Sequence, residues 1–156
     1  MLSELENYLD VLQIKHEEIK DILAEIGDNP TILNWKPLGE ESNSIFGLVV
    51  DAALQQEYWI GHVVGQRPEP TGMDKLQEAQ GQRIGPAIQL LQMTQTNTEQ
   101  IFEQLTTEQL ELTVDFNDEV LATRWCLLHA VQHVAENLGQ LTVLWQWWQQ
   151  NQNSIN

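Results

Sequence analysis

The sequence predicts an all-α fold, a four-helix bundle with a short extended or hairpin segment between the third and fourth helices. Four long stretches repeat apolar residues at intervals of three and four, as amphipathic helices do. Glycine, proline and asparagine interrupt the pattern between them. The chain of 156 residues is long enough for a core, so we expect one bundle over 1–150 and a frayed tail over 151–156.

The first helix is predicted from Ser3 to about Ile26. Ser3 and Glu6 have the spacing of a capping box, and the segment GDNP at 27–30 should end the helix. The loop that follows contains Trp35, which we expect to be exposed. The apolar stripe consists of Leu5, Tyr8, Leu9, Leu12, Ile19, Ile22, Leu23 and Ile26.

The second helix is predicted from Ser42–Ser44 to Val64 and is apolar around most of its circumference, so it should be the most buried. The third is predicted from about Gly81 to Leu105. Pro86 fits its first turn, where a missing N–H does no harm.

The segment ELTVDFNDEVLAT after the third helix alternates between apolar and polar residues and contains a turn-like Asn117–Asp118. It predicts either a short hairpin or an extended loop. The fourth helix should run from about Thr123 to Gln149. Its tryptophan-rich end, Trp145–Trp148, either closes the core or forms a patch for a second subunit.

Charge and composition exclude several classes of function. The formal net charge is −16, and the seven lysines and arginines are scattered singly, so nucleic acid and anionic membranes are poor partners. No apolar run is long enough to cross a bilayer, and the first residues do not resemble a secretory signal. We therefore expect a cytoplasmic protein. The single cysteine, Cys126, excludes an internal disulfide.

Two of the predicted helices carry polar residues where a bundle buries its core. Asp51 interrupts the apolar run FGLVVDAAL, and a carboxylate is costly to bury unless it is paired or bound. His129, His133 and Asn137 are spaced by four and stack along one face. Such a histidine pair is either an ordinary hydrogen-bonded pair or two ligands of one metal ion. An ordinary pair is the commoner case, but bundle metal sites use inward side chains from facing helices, and this gives the second alternative more weight than the spacing alone does.

Two passages resemble the DinB-like (DinB/YfiT) superfamily, near its branch of mycothiol-dependent maleylpyruvate isomerases. One is NSIFGLVVDAALQQEYWIGHVVG (43–65), and the other is RWCLLHAVQHVAENLGQL (124–141). The resemblance implies a four-helix bundle with a divalent metal on three histidines, one on the second helix and two on the fourth. It also implies a homodimer, and many such proteins have no assigned reaction.

Carried over by position, the metal ligands implied by the resemblance fall on Asp51, His133 and Asn137, of which only His133 matches the family's residue type. His129 matches a histidine that often precedes the pair and is a conceivable substitute. An asparagine amide is a weak ligand for zinc, nickel or iron, so we interpret the site as degenerate, with no cofactor or a weakly bound divalent metal. In a metal-free pocket, Asp51 would accept hydrogen bonds from protonated His133 and from Asn137.

Three functions follow from these alternatives. The weakest is a structural interaction protein with no pocket function. The preferred one is a non-catalytic protein that keeps the pocket and either binds a small ligand or acts through its dimer surface. The other is a divalent-metal-dependent enzyme, either a thiol-dependent transferase or isomerase or a hydrolase, so enzyme status stays open. Cys126 and His129 could form a thiol–imidazole nucleophile, but a buried, inert cysteine is commoner. His16 and His62 are expected to be solvated.

Overall fold

The computed structural model describes residues 1–73, 75 and 79–153 and has the predicted all-α bundle with a hairpin. Its long helices are α1 (Ser3–Ile26), α3 (Ile45–Gln56), α4 (Gly85–Gln104) and α6 (Thr123–Asn153). The short helices are α2 (Pro30–Leu33) and α5 (Thr107–Leu110). Strands β1 (Thr113–Phe116) and β2 (Glu119–Ala122) pair antiparallel.

Helix α1 has the predicted bounds but not the predicted capping box. Leu2 is the N-cap residue and makes no side-chain capping bond, since Ser3 already lies inside the helix. Gly27 ends the helix with φ 65°, a left-handed conformation that favours glycine. The prediction that His16 is solvated is wrong, because it lies on the inward stripe of α1. That stripe is Leu5, Leu12, His16, Ile19, Leu23 and Ile26.

The predicted second helix consists of α3 and a π-helical continuation, Glu57–Val64. The Ser44 hydroxyl caps α3 by accepting from the Gly47 N–H at 3.0 Å. At Gly65, where the π-helix ends, an added Cβ would lie 2.8 Å from the Gly61 carbonyl oxygen and 2.9 Å from an Ile101 methyl group. A side chain is therefore excluded at this close contact with α4. Apolar periodicity did not predict the change of helical pitch.

Helix α4 begins at Gly85, four residues later than the predicted start at Gly81. The backbone of Gly81 is held elsewhere, because the Asn34 amide donates to its carbonyl at 2.9 Å and accepts from its N–H at 2.8 Å. A side chain at Gly81 would collide with the Phe46 ring. Pro86 lies in the first turn of α4, as predicted.

The segment between α4 and α6 forms the hairpin, one of the two predicted alternatives. Asn117 and Asp118 make its two-residue turn with φ of 47° and 66°. Two left-handed residues match the twist of the strands, and Asn and Asp tolerate that conformation. Helix α5, which begins with a capping box between Thr106 and Gln109, was not predicted.

Helix α6 starts at Thr123, as predicted, and ends at Asn153, four residues beyond the predicted Gln149. The remainder of the predicted frayed tail, 154–156, lies outside the described residues. Near its start, Arg124 pairs with Glu4 and Glu111, both at 2.8 Å, and so connects α6 to α1 and to the end of α5.

The tryptophan-rich end of α6 packs on the bundle itself. Trp35 is half-buried, so its predicted exposure is wrong. Its ring lies edge-on to Trp147 at 5.6 Å and to Trp148 at 5.2 Å. Trp145 donates its indole N–H to Glu25 at 2.9 Å. These contacts close one end of the core.

Helix α3 packs most extensively against α6, and these two helices carry the residues of the predicted site. Over the part of the chain described here, no helix combines the length and apolarity needed to cross a membrane.

Candidate functional site

The Asp51 carboxylate and the Asn137 amide meet between α3 and α6. Asn137 is 4 % exposed, and its Nδ2 donates to Asp51 Oδ2 at 2.8 Å and to the His133 carbonyl at 3.0 Å. Gln55 Nε2 donates to the other carboxylate oxygen at 3.3 Å. Both oxygens of Asp51 thus accept amide hydrogens, which explains how an apolar helix accommodates this carboxylate.

His129 and His133 face each other one turn apart on α6. Their Nε2 atoms are 3.0 Å apart, so one ring donates and the other accepts. This bond takes the place of the one expected from His133 to Asp51. Burial and the neighbouring His129 lower the pKa of His133, although Asp51 and Glu136 act in the opposite direction. The two rings therefore satisfy each other by hydrogen bonding, and their surroundings disfavour the charged form of His133.

Aromatic rings enclose His129 on two sides. Trp125 stacks on it with ring centroids 4.5 Å apart, and Trp59 lies edge-on at 4.7 Å. Phe116 of the hairpin packs on Trp59 at 4.9 Å. The sequence alone did not indicate that these rings belong to the site. Trp125 could have been found from its spacing of four before His129, but the Trp59 and Phe116 contacts depend on the tertiary fold.

Cys126 is fully buried on α6, and burial raises the pKa of its thiol. Both features disfavour the thiolate form that a nucleophile requires. This agrees with the prediction of an inert core cysteine.

At the three positions that the resemblance assigns to metal ligands, the polar groups are engaged in hydrogen bonds with neighbouring side chains. The Asn137 amide points its hydrogens, not its oxygen, at the carboxylate that would share the ion, and His133 is bonded to His129. Within the described residues, no three His, Cys, Asp or Glu side chains converge in a way that could hold an ion. The fold brings Asp51 and Asn137 together, whereas the His133 ring points along α6 to His129.

Two of the cavities that lie away from Asp51 and Asn137 have features relevant to ligand binding. One, of about 330 Å³, is apolar and lies beside the C-terminal half of α6, where Leu38, Val143 and Trp147 line it. The other, of about 520 Å³, lies between the end of the π-helix and β1. Both volumes fall within the range of small-molecule sites.

A family model described as the DinB superfamily matches residues 16–141. The chain belongs to the DinB superfamily. Its bundle resembles that of a conserved protein from Enterococcus faecalis, with a TM-score of 0.76 and 15% sequence identity over 90% of this chain and 94% of the other. It also resembles a DinB-like protein from Bacillus subtilis, with a TM-score of 0.65 and 20% identity over 94% and 92%.

These likenesses show the fold of a DinB-superfamily protein, as the sequence predicted. No curated protein matches the chain. Neither structural match names the mycothiol-dependent branch, so that finer assignment stays a prediction.

Proposed function

We propose that this DinB-superfamily chain is a non-catalytic protein that binds a small organic molecule and lacks a working metal centre. The observation that carries the proposal is the 2.8 Å hydrogen bond from Asn137 Nδ2 to Asp51 Oδ2. An amide that presents its N–H to a carboxylate cannot present its oxygen to an ion held by the same carboxylate. Asp51 and Asn137, two of the three positions that the resemblance assigns to metal ligands, therefore satisfy each other's hydrogen-bonding groups.

The experiment measures metal content by elemental analysis, using protein purified without an affinity tag and dialysed with added Zn²⁺. We expect the natural chain to retain less than about 0.1 equivalent, because a lost direct ligand lowers affinity strongly. Asn137→His should retain about one equivalent, since an Asp and two His make a competent zinc set. Gln146→His, on an exposed part of the same helix, is the matched control and should retain none.

The natural chain alone already tests the proposal. One equivalent of metal that survives dialysis and disappears in His133→Ala would overturn it, whatever the behaviour of Asn137→His. That result would favour the second candidate, a divalent-metal-dependent enzyme of the transferase, isomerase or hydrolase type. One observation favours it: the two Nε2 atoms of His129 and His133, 3.0 Å apart, have about the spacing of neighbouring ligands on one ion.

A homodimer belongs to the same proposal. Large apolar side chains on one side of α6 are exposed, among them Leu128 at 56% and Val143 at 61%. A face of this kind is suited to a second subunit. Because Trp145 and Trp148 pack within the chain, the dimer surface is better placed on this exposed face than on those two rings.

A further inference from the structure

The larger cavity, called here the Arg67 cleft, lies apart from the Asp51 position. Its walls include His62, Gln66, Arg67, Thr113, Asp115 and Phe116. His62 lies in the π-helix, and Gln66 and Arg67 come just after its end. The other three residues belong to β1. Its volume of about 520 Å³ suits a small organic molecule.

The backbone on the π-helix side holds an unusual conformation. Gln66 has φ 54°, which non-glycine residues rarely adopt, and it follows a π-helix, a feature frequent at functional sites. The Arg67 N–H donates to the Gly61 carbonyl at 3.0 Å, and this bond fixes the turn. The result is that His62 and Arg67 share one wall of the cleft.

His62 is oriented by the same turn. Its Nδ1 lies 2.8 Å from the Arg67 carbonyl oxygen, and because a carbonyl only accepts, Nδ1 carries the hydrogen. In the neutral ring, Nε2 then remains an acceptor for a donor on a ligand. Tyr58 packs against this imidazole at 5.5 Å and limits its rotation.

The two charged residues of the cleft do not pair with each other. Arg67 donates to a neutral partner, the Gln100 amide oxygen, at 3.2 Å, and Asp115 makes no ion pair with any residue that the structure describes. An arginine that makes no ion pair with any described residue is notable in a chain of net charge −16. A cation and an anion held apart on opposite walls can each receive the opposite charge of one ligand.

The third element of the cleft is an apolar ring. Phe116 is half-buried and is held by Trp59 at 4.9 Å and Tyr58 at 6.2 Å. A rigid aromatic surface at the side of a pocket gives contact area to an apolar group at little entropic cost.

We infer that the Arg67 cleft binds a small zwitterion with an apolar side group, the chemistry of an α-amino acid. The carboxylate would bind the Arg67 guanidinium, whose fork matches carboxylate geometry. The ammonium would bind Asp115 and His62 Nε2, and the side group would pack on Phe116. The inference rests on the ligand-binding part of the proposed function.

The test is isothermal titration of the dialysed protein with each of the twenty standard α-amino acids. At least one apolar member should bind with a Kd below about 1 mM. For that member, the analogue without the amino group and the analogue without the carboxylate should each bind at least about tenfold more weakly, because each loses one charge-assisted contact. These comparisons use the natural chain and need no variant to fold.

Substitutions then locate the site. Arg67→Met and Asp115→Asn should each weaken binding about tenfold or more, whereas Arg83→Met and Asp118→Asn, outside the cleft, should leave it unchanged. Failure of every apolar amino acid to bind with a Kd below about 1 mM, or equal binding by Arg67→Met, would overturn the inference. The metal content measured by elemental analysis does not depend on amino-acid binding in the cleft. The two proposals can therefore fail separately.

Discussion

His16 of α1 and Gln56 of α3 lie beside each other inside the bundle, and each has polar atoms without a hydrogen-bond partner. His16 is 1% exposed, and neither of its ring nitrogens is bonded. Gln56 donates to the Thr98 hydroxyl at 2.8 Å, but its own oxygen is unpaired. Burial lowers the pKa of His16 to about 4; Lys20 adds to the shift, and Gln56 and Glu17 oppose it.

The first prediction concerns stability between pH 4 and 6.5. In this window the unfolded chain binds a proton at His16 and the folded chain does not, so stability is complete above pH 6.5 and falls as pH is lowered. The loss should be about 3 kcal/mol, from 1.36 kcal/mol per pKa unit. Urea unfolding of the natural chain and of His16→Leu at several pH values measures it.

The comparison between the two chains isolates His16, because the many carboxylates titrate in both. The difference in unfolding free energy should change across the window and be constant above it. Parallel curves for the natural chain and His16→Leu would contradict the prediction.

The second prediction concerns the bond between Asp51 and Asn137. Asn137→Ala should lower the free energy of unfolding by about 1–3 kcal/mol, because a half-buried carboxylate loses its closer amide donor. Asp51→Leu combined with Asn137→Leu should recover much of that loss, since no polar group is then left unpaired. Chemical unfolding of the natural chain and of both variants gives the values. A double variant less stable than Asn137→Ala would argue against this pairing.

The third prediction compares two glycines. Gly65→Ala should destabilise the protein by about 1–3 kcal/mol, because its Cβ would overlap the Gly61 carbonyl and Ile101. Gly139→Ala, where an added Cβ meets nothing within 4 Å in the middle of α6, should stabilise it by about 0.5–1 kcal/mol. Thermal unfolding measures both. A neutral Gly65→Ala would mean that the π-helix does not need this close approach.

The fourth prediction concerns the proposed dimer. Val143→Glu should halve the molar mass measured by light scattering, because it places a charge on the exposed apolar face of α6. Met93→Glu, an equally exposed apolar position at 56% on α4, is the control and should leave the mass unchanged. A natural chain that is already monomeric would remove the dimer from the proposal.

Local patterns predicted most of the bundle. Apolar periodicity located the long helices, Asn117–Asp118 indicated a turn, and the four-residue spacing on α6 placed His129, His133 and Asn137 on one face. These features could be predicted because each depends on residues a few positions apart along the chain.

Contacts between distant segments could not be predicted in this way. The sequence suggested that His16 is solvated and that Trp35 is exposed, yet both pack against other elements: His16 beside α3, and Trp35 against the end of α6. Whether a polar or aromatic residue at the edge of a helix is buried depends on which side chains the neighbouring element packs against it.

The sequence by itself determined which residue types stand at positions 51, 133 and 137, and it predicted that this carboxylate, imidazole and amide face the bundle interior. The tertiary structure alone decided that the amide of Asn137 donates to Asp51 and that His133 turns to His129. The physical reason is that hydrogen-bond direction depends on the rotation and register of α3 against α6, and the packing of the whole core sets both.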